Sequence, residues 1–329
     1  MDKITRKTSF GQSFSPINLQ LVDEQVKTLK LDYYTKKLTT ESFLKLLLFA
    51  LLEEIESLHA LSDCLFEDRL QRGINLDSIS ISQLSRRLNG MNPDLFQRLF
   101  FDLVGQIHAK THYTKRIMPL KIIDSSTLPL NLTNHRWAKF RKTKAGVKLH
   151  LRLVFMDKGI SYPEKALITT AKEHDRNQLE VMVDNKECMY VFDRGYLDYE
   201  RFDRMTDDGY FFLSRLRKNA VIRVVDDFKL SEESSVLSDQ MVLIGTPQNR
   251  AENYFRLVKV MDSQGNELQL ITNRFDLSAE GNRIVFQMDK TASQYQEVLR
   301  LKRTVNPKPN IYNADCLLPV CTSSNENEQ

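Results

Sequence analysis

Two aspartates in this sequence stand where carboxylates can do chemistry together. In LKIIDSSTL, Asp124 follows the apolar run from Leu120 to Ile123. In CMYVFDRGY, Asp193 follows the run from Met189 to Phe192. Each ends what reads as a short buried strand, and a turn-forming Gly195 comes soon after Asp193. Alone, either residue is a strand-end cap or an ion-pair partner. Together, on neighbouring strands of one sheet, they could share a divalent cation. Mg²⁺ and Mn²⁺ take hard oxygen ligands and keep several waters, so two or three carboxylates suffice. A pair of such ions about 4 Å apart suits phosphodiester chemistry, one activating a water or 3′-hydroxyl and the other stabilising the leaving oxygen.

The elements that must position these residues follow from periodicity. The chain of 329 residues, 41% hydrophobic and 27% charged, has the composition of a globular protein with two or three domains. Residues 1–115 read as helices, among them Phe43–Leu58, Ile79–Leu88 and a third after Asn92-Pro93-Asp94. Arg86 and Arg87 lie beside Ser82, Gln83 and Ser85. That pattern suits a helix-turn-helix DNA reader, and equally a packed helical domain with solvated arginines. From Met118 the pattern changes to three strands, a helix, a strand, a helix and a strand. This is the order of a mixed α/β sheet of the ribonuclease-H-like kind, placed at residues 116–219. Residues 220–276 read as a β-strand insertion domain, with a hairpin turn at residues 263–266. Residues 277–329 lose periodicity and end in a polar, poorly ordered tail.

Charge is uneven although the net value is only +4. Between Leu128 and Arg152 there is no acid, while Arg136, Lys139, Arg141, Lys142, Lys144, Lys148 and Arg152 all occur. Such a run between the two aspartate strands suits phosphate contacts, with Trp137 and Phe140 able to stack on a base. A solvated hairpin is the plainer alternative. Arg194, Arg215 and Lys218 are further candidates near the strand ends. His174 and Asp175 precede a periodic stretch, and Asp175 reads as a helix cap. Cys64, Cys188, Cys316 and Cys321 form no CxxC or metal pattern and suit reduced thiols of a cytosolic protein. The N-terminus lacks an apolar signal core, and the run from Phe43 to Leu52 is too short to span a bilayer.

Four stretches carry a resemblance: Asp124–Thr127, Lys144–His150, Phe192–Tyr196 and Ile271–Phe275. Together they resemble bacterial insertion-sequence transposases of the DDE type, in the branch whose third acid lies in a Tyr-Arg-Glu-Lys signature. The likeness covers roughly residues 1 to 280. It implies a ribonuclease-H-like catalytic domain and Mg²⁺- or Mn²⁺-dependent cleavage at terminal inverted repeats, followed by strand transfer into target DNA. Asp124 and Asp193 match the first two catalytic acids, and hence the metal ligands. The resemblance further implies double-stranded DNA (transposon ends and target) as partner, a homodimer on DNA and a cytoplasmic, nucleoid-associated location.

The third acid has no counterpart. Glu280 stands where the signature helix should begin, and Glu297 lies in QYQEVLRLK, but neither has the accompanying Tyr and Arg. Back-translated and shifted by one base, Gly281–Gln294 permits EIELFFKWIKQHL, with Glu and Lys at the signature spacing. The tryptophan in that string is compelled, because a Met codon followed by an Asp codon contains TGG. The expectation is an out-of-frame tail from residue 281 and a transposase impaired in this copy. The alternative is a non-catalytic DNA-binding remnant that inhibits transposition.

Overall fold

The computed structural model describes residues 14–66, 68–110, 118–157, 160–230, 234–262 and 264–285. The described residues divide into two compact units, residues 14–110 and residues 118–285.

In the first unit the described residues form helices α1 (Leu19–Thr28), α2 (Thr40–Leu52), α3 (Leu58–Cys64), α4 (Asp68–Ile74), α5 (Ile81–Gly90) and α6 (Pro93–Lys110). Their starts are written in the sequence. Asn18, Thr39, Ser57 and Ser80 each accept a hydrogen bond from a first-turn backbone N–H. Ser80 and Gln83 complete a reciprocal capping box, and Pro93 opens α6, where its missing N–H costs nothing. Phe43, Leu46, Leu61, Leu84 and Leu95 meet in one core.

The second unit is built on an eleven-stranded sheet. Its strands are β1 (Leu120–Leu130), β2 (Lys139–Arg141), β3 (Lys144–Asp157), β4 (Ile160–Thr170), β5 (Met189–Phe192), β6 (Phe211–Arg215), β7 (Ile222–Asp227), β8 (Val236–Thr246), β9 (Asn249–Arg250), β10 (Phe255–Met261) and β11 (Glu267–Thr272). The order is β2-β3-β1-β5-β6-β11-β10-β8-β7, with β4 on β3 and β9 on β8. Among the described residues only β1–β5 and β5–β6 pair in parallel. Their crossovers carry α7 (Leu179–Met182) and α8 (Tyr199–Asp207).

Alternation along the strands sorts side chains onto two faces. Ile123, Phe192, Phe212, Phe255, Leu257 and Ile271 pack with Met182 of α7 and Phe202 and Met205 of α8. Ile122, Val191, Leu213, Val258 and Leu270 face the other way and pack with Ala279, Leu277 and Val285. Residues 279–285 are helical, beginning where Ser278 Oγ accepts from Gly281 N at 3.0 Å. The remainder of the expected tail, with Glu297, Cys316 and Cys321, lies outside the described residues.

The strands expected of an insertion at 220–276 are β7 to β11, and they continue the same sheet. β11 pairs with β6 at Leu270↔Arg215, Ile271↔Ser214 and Thr272↔Leu213. Among the described residues no helix is long and apolar enough to cross a membrane. Cys64 and Cys188 are free thiols.

Candidate active site

The last parallel pair between β1 and β5 is Ile123↔Phe192. The next residue on each strand is the aspartate. Adjacent strands run about 4.8 Å apart, so both aspartates directly follow the last parallel pair. The expectation that each ends a strand is corrected for Asp124: β1 runs on to Leu130, held by its antiparallel ladder with β3, and only Asp193 lies just past the end of its strand. The row continues on both sides. Asp124 is opposite Leu151 of β3, and Arg215 follows Ser214, the partner of Phe192. Since Ile123 and Phe192 point toward α8, the two aspartates point to the opposite face, the one on which Ala279 packs.

The carboxylates have different neighbours. Arg215 Nε and Nη2 donate to Asp193 Oδ1 at 2.7 and 2.6 Å, with Asp193 still 40% exposed. Asp124 Oδ1 accepts from Ser125 N at 2.7 Å. Carboxylate oxygens are the kind of donor that a hard divalent cation takes. Among the described residues no group of three or more His, Cys, Asp or Glu side chains could hold a metal.

Behind this row, on the α7–α8 face, lies a polar cluster. Asp175 Oδ1 accepts from Ser125 Oγ at 3.0 Å and from Lys148 Nζ at 3.1 Å. His150 is completely buried, with Nδ1 at 3.2 Å from the Tyr196 hydroxyl and Nε2 at 3.0 Å from Thr169 Oγ1. Burial, only partly countered by Asp175, pushes the His150 pKa down to about 4, so the ring is neutral. Burial, with Asp175 and then Asp124 and Asp193 adding to it, pushes the Tyr196 phenol well above its ordinary value. The same phenol therefore senses both carboxylates.

Sequence reasoning cast Asp175 as a helix cap. The structure corrects this: the turn Asp175–Gln178 has no side-chain cap, and the carboxylate joins β1 to β3 instead. Gly195 lies close by, where an added Cβ would come 3.2 Å from Asp175 Oδ2.

A family model described as the transposase DDE domain matches residues 116–305. The chain belongs to this family. The transposase domain thus spans both aspartates and the whole sheet. A second model, for a domain of unknown function (DUF4372), matches residues 5–72. A Geobacillus stearothermophilus protein described as a transposase for insertion sequence element IS5377 is 29% identical over 202 residues, 60% of this chain and 52% of that protein. The Sinorhizobium fredii transposase y4zB is 27% identical over 184 residues, 54% of this chain and 50% of its own. The chain thus spans about half the length of these curated relatives. A solved piggyBac transposase synaptic complex with hairpin DNA gives a TM-score of 0.45 at 10% identity, covering 92% of this chain and 70% of that one.

The candidate cations of the transposase domain divide into two sets. Arg136, Lys139, Arg141, Lys142 and Lys144 are exposed around the β1–β3 connection, and Trp137 is 55% exposed with its ring edge-on to His135. Arg194 and Lys218 are exposed too. Lys148 and Arg152 point inward. Lys148 binds Asp175 and the Glu173 carbonyl, while Arg152 binds Glu164, Asp184 and the Met182 carbonyl. Arg215 is paired with Asp193.

In the helical unit, Arg86 is exposed, its Nε bonded to the Ser82 carbonyl. Arg87 instead binds Asp32, Thr40, Thr35 and the Leu31 carbonyl. Internal carboxylates already neutralise Arg87 and Lys148, which sets both apart from the exposed cations. Gln83 serves the capping box.

Glu280 is not aimed at the aspartates. Its carboxylate accepts from Ser234 Oγ, Ser235 N, Ser235 Oγ and Arg283 Nε, at the start of β8. The Arg283 hydrogen bond, with the serines, holds its pKa down to about 2.

Proposed function

We propose that this chain is a DDE-type insertion-sequence transposase of the Tyr-Arg-Glu-Lys branch, with a ribonuclease-H-like catalytic core. Its substrate is double-stranded DNA at terminal inverted repeats and at the target, and it works as a homodimer on DNA in the cytoplasm. The observation that supports this reading is the parallel pair Ile123↔Phe192, after which the next residue on each chain segment is an aspartate. These residues would hold Mg²⁺ or Mn²⁺, which when bound supplies a charge clamp on the phosphodiester and an activated oxygen nucleophile.

The protein's own residues supply the rest. The exposed Arg136, Lys139, Arg141, Lys142 and Lys144 bind phosphates at one margin of the sheet, and Trp137 stacks on a base. Arg194 and Lys218 extend that contact along the strand ends, and Arg215 holds Asp193 in place until substrate arrives. Arg86 is the exposed arginine that α5 offers to DNA.

Activity in this copy is impaired for lack of a third acid. The helix at 279–285 packs on the face that carries the aspartates, yet its Glu280 is tied to Ser234 and Ser235. From residue 281 the chain follows a shifted frame. That geometry also favours a second role, a DNA-binding remnant that occupies transposon ends and inhibits intact copies.

A nicking assay on terminal-repeat DNA with Mn²⁺ tests both. The chain as it stands should bind the DNA and cleave it at least about a hundredfold more slowly than a version with the shifted-frame helix restored. Cleavage by that version should vanish with Asp124→Asn or Asp193→Asn. Robust cleavage by the unaltered chain that survives Asp193→Ala would refute the assignment.

A further inference from the structure

We infer that Asp175 is a positioning residue, a polar clamp that sets the separation of the Asp124 and Asp193 backbones from the opposite face of the sheet. The inference rests on the reading of those two aspartates as the metal pair.

With only two protein ligands, the spacing of their strands fixes the spacing of the donor oxygens, and few other ligands can correct an error. The parallel ladder between β1 and β5 stops at Ile123↔Phe192. Beyond that pair no strand-to-strand register holds Asp193 against Asp124. After Asp193 the chain turns through Arg194–Tyr196, with Tyr196 N donating to the Asp193 carbonyl at 3.0 Å. Something else must hold this turn against β1.

Asp175 touches every piece. Its Oδ1 accepts from Ser125, the residue after Asp124, and from Lys148 of β3. Its Oδ2 lies where a Cβ on Gly195 would come within 3.2 Å, so the turn after Asp193 passes close to the carboxylate. Tyr196 closes the circuit through His150 and through a hydrogen bond with Ser125. Lys148 also reaches the Glu173 carbonyl at 2.8 Å, which fixes the segment that presents Asp175.

Adjacent residues on a strand point to opposite faces, so Ser125 faces Asp175 while Asp124 faces the site. The clamp therefore acts through the backbone, without occupying any ligand position. A serine hydroxyl, a lysine, a glycine and a tyrosine at Ser125, Lys148, Gly195 and Tyr196 are the four side-chain types that this contact set requires. All four fall inside the sequence stretches Asp124–Thr127, Lys144–His150 and Phe192–Tyr196.

The test is Mn²⁺ binding to the full chain without DNA, followed by electron paramagnetic resonance of free and bound Mn²⁺, beside the metal-free melting temperature. Wild type should bind Mn²⁺, and Asp124→Asn with Asp193→Asn should abolish that binding. Asp175→Asn should weaken it by about tenfold to a hundredfold, the range found when outer partners of metal ligands are removed. Ser125→Ala should weaken it severalfold, and the double variant should lose less than the product of the single effects, because both act through one contact. A purely structural role would lower the melting temperature and leave the affinity of the folded fraction unchanged. Unchanged Mn²⁺ affinity in folded Asp175→Asn overturns the clamp and leaves the metal pair standing. If Asp175→Asn does not fold, unchanged affinity in Ser125→Ala overturns it equally. A wild type that binds no Mn²⁺, or binds it without Asp124 and Asp193, overturns the metal pair and the clamp with it.

Discussion

His150 shows how a single residue ties this site to solution conditions. Its ring is sealed beneath the sheet and hydrogen-bonded at both nitrogens, so the folded chain resists protonating it until about pH 4, against an ordinary value of 6.5. The groups facing it are Asp175, Lys148, Thr169 and Tyr196. In the unfolded chain the ring takes a proton near its ordinary value. Between these limits the unfolded state binds more protons, so stability is complete above pH 6.5 and falls as the pH drops toward 4. The displacement corresponds to about 3 kcal/mol. Urea titrations at about pH 7.5 and about pH 4.5 should show that loss, beyond the general effect of carboxylate protonation, and His150→Asn should remove it. Equal slopes in both proteins would show that burial does not govern this ring. Asp124 and Asp193 were legible as candidates because each is a carboxylate that follows an apolar run. The partners of Asp175 were not, because a hydrogen bond from residue 175 to residue 125 leaves no local period.

At the scale of elements, close approach and buried charge decide what the strands tolerate. Gly146 of β3 lies against β1 so tightly that a Cβ there would sit 2.8 Å from the Leu128 carbonyl oxygen and 3.2 Å from the Phe140 ring. Gly146→Ala should destabilise the chain by about 1–3 kcal/mol, as overpacking does, and chemical denaturation would measure it. Arg256 of β10 and Asp239 of β8 form a buried pair, Nε to Oδ1 at 2.8 Å and Nη2 to Oδ2 at 2.6 Å. The same guanidinium binds the carbonyls of Phe275 and Leu277, and so anchors the connection that leads into the helix at 279–285. Asp239→Ala strands that charge and should cost about 3–5 kcal/mol, whereas Asp239→Leu with Arg256→Met should recover most of it. The strands themselves were legible from β-branched and aromatic runs. That β11 pairs with β6, making the expected insertion part of one sheet, was not, because an apolar strand fits any open edge of matching length.

For the whole molecule, the proposed DNA binding makes a prediction about salt. Removing one phosphate-binding cation should reduce the slope of log affinity against log salt by about 0.9. Replacing Arg136, Lys139, Arg141 and Lys142 with alanine should therefore flatten the slope by up to about 3–4, read by DNA binding at several salt concentrations. Lys148→Ala and Arg87→Ala should leave the slope unchanged and lower stability instead, because Asp175 and Asp32 already hold those cations. A slope change with Arg87→Ala would show that its internal pairing opens on DNA. Charge counting gave the basic run as one block. The fold divides it, since β3 carries Lys148 and Arg152 into the sheet while the connection before it stays in solvent.

By itself the sequence determined the aspartates that follow apolar runs, the helices of the first part and the change of period at Met118, because each is a local pattern of residue type and spacing. Only the tertiary structure decided which cations remain exposed, where Glu280 points and what Asp175 holds. Those outcomes depend on pairings between residues far apart in the chain, and such pairings are set by sheet register and by the burial of charge.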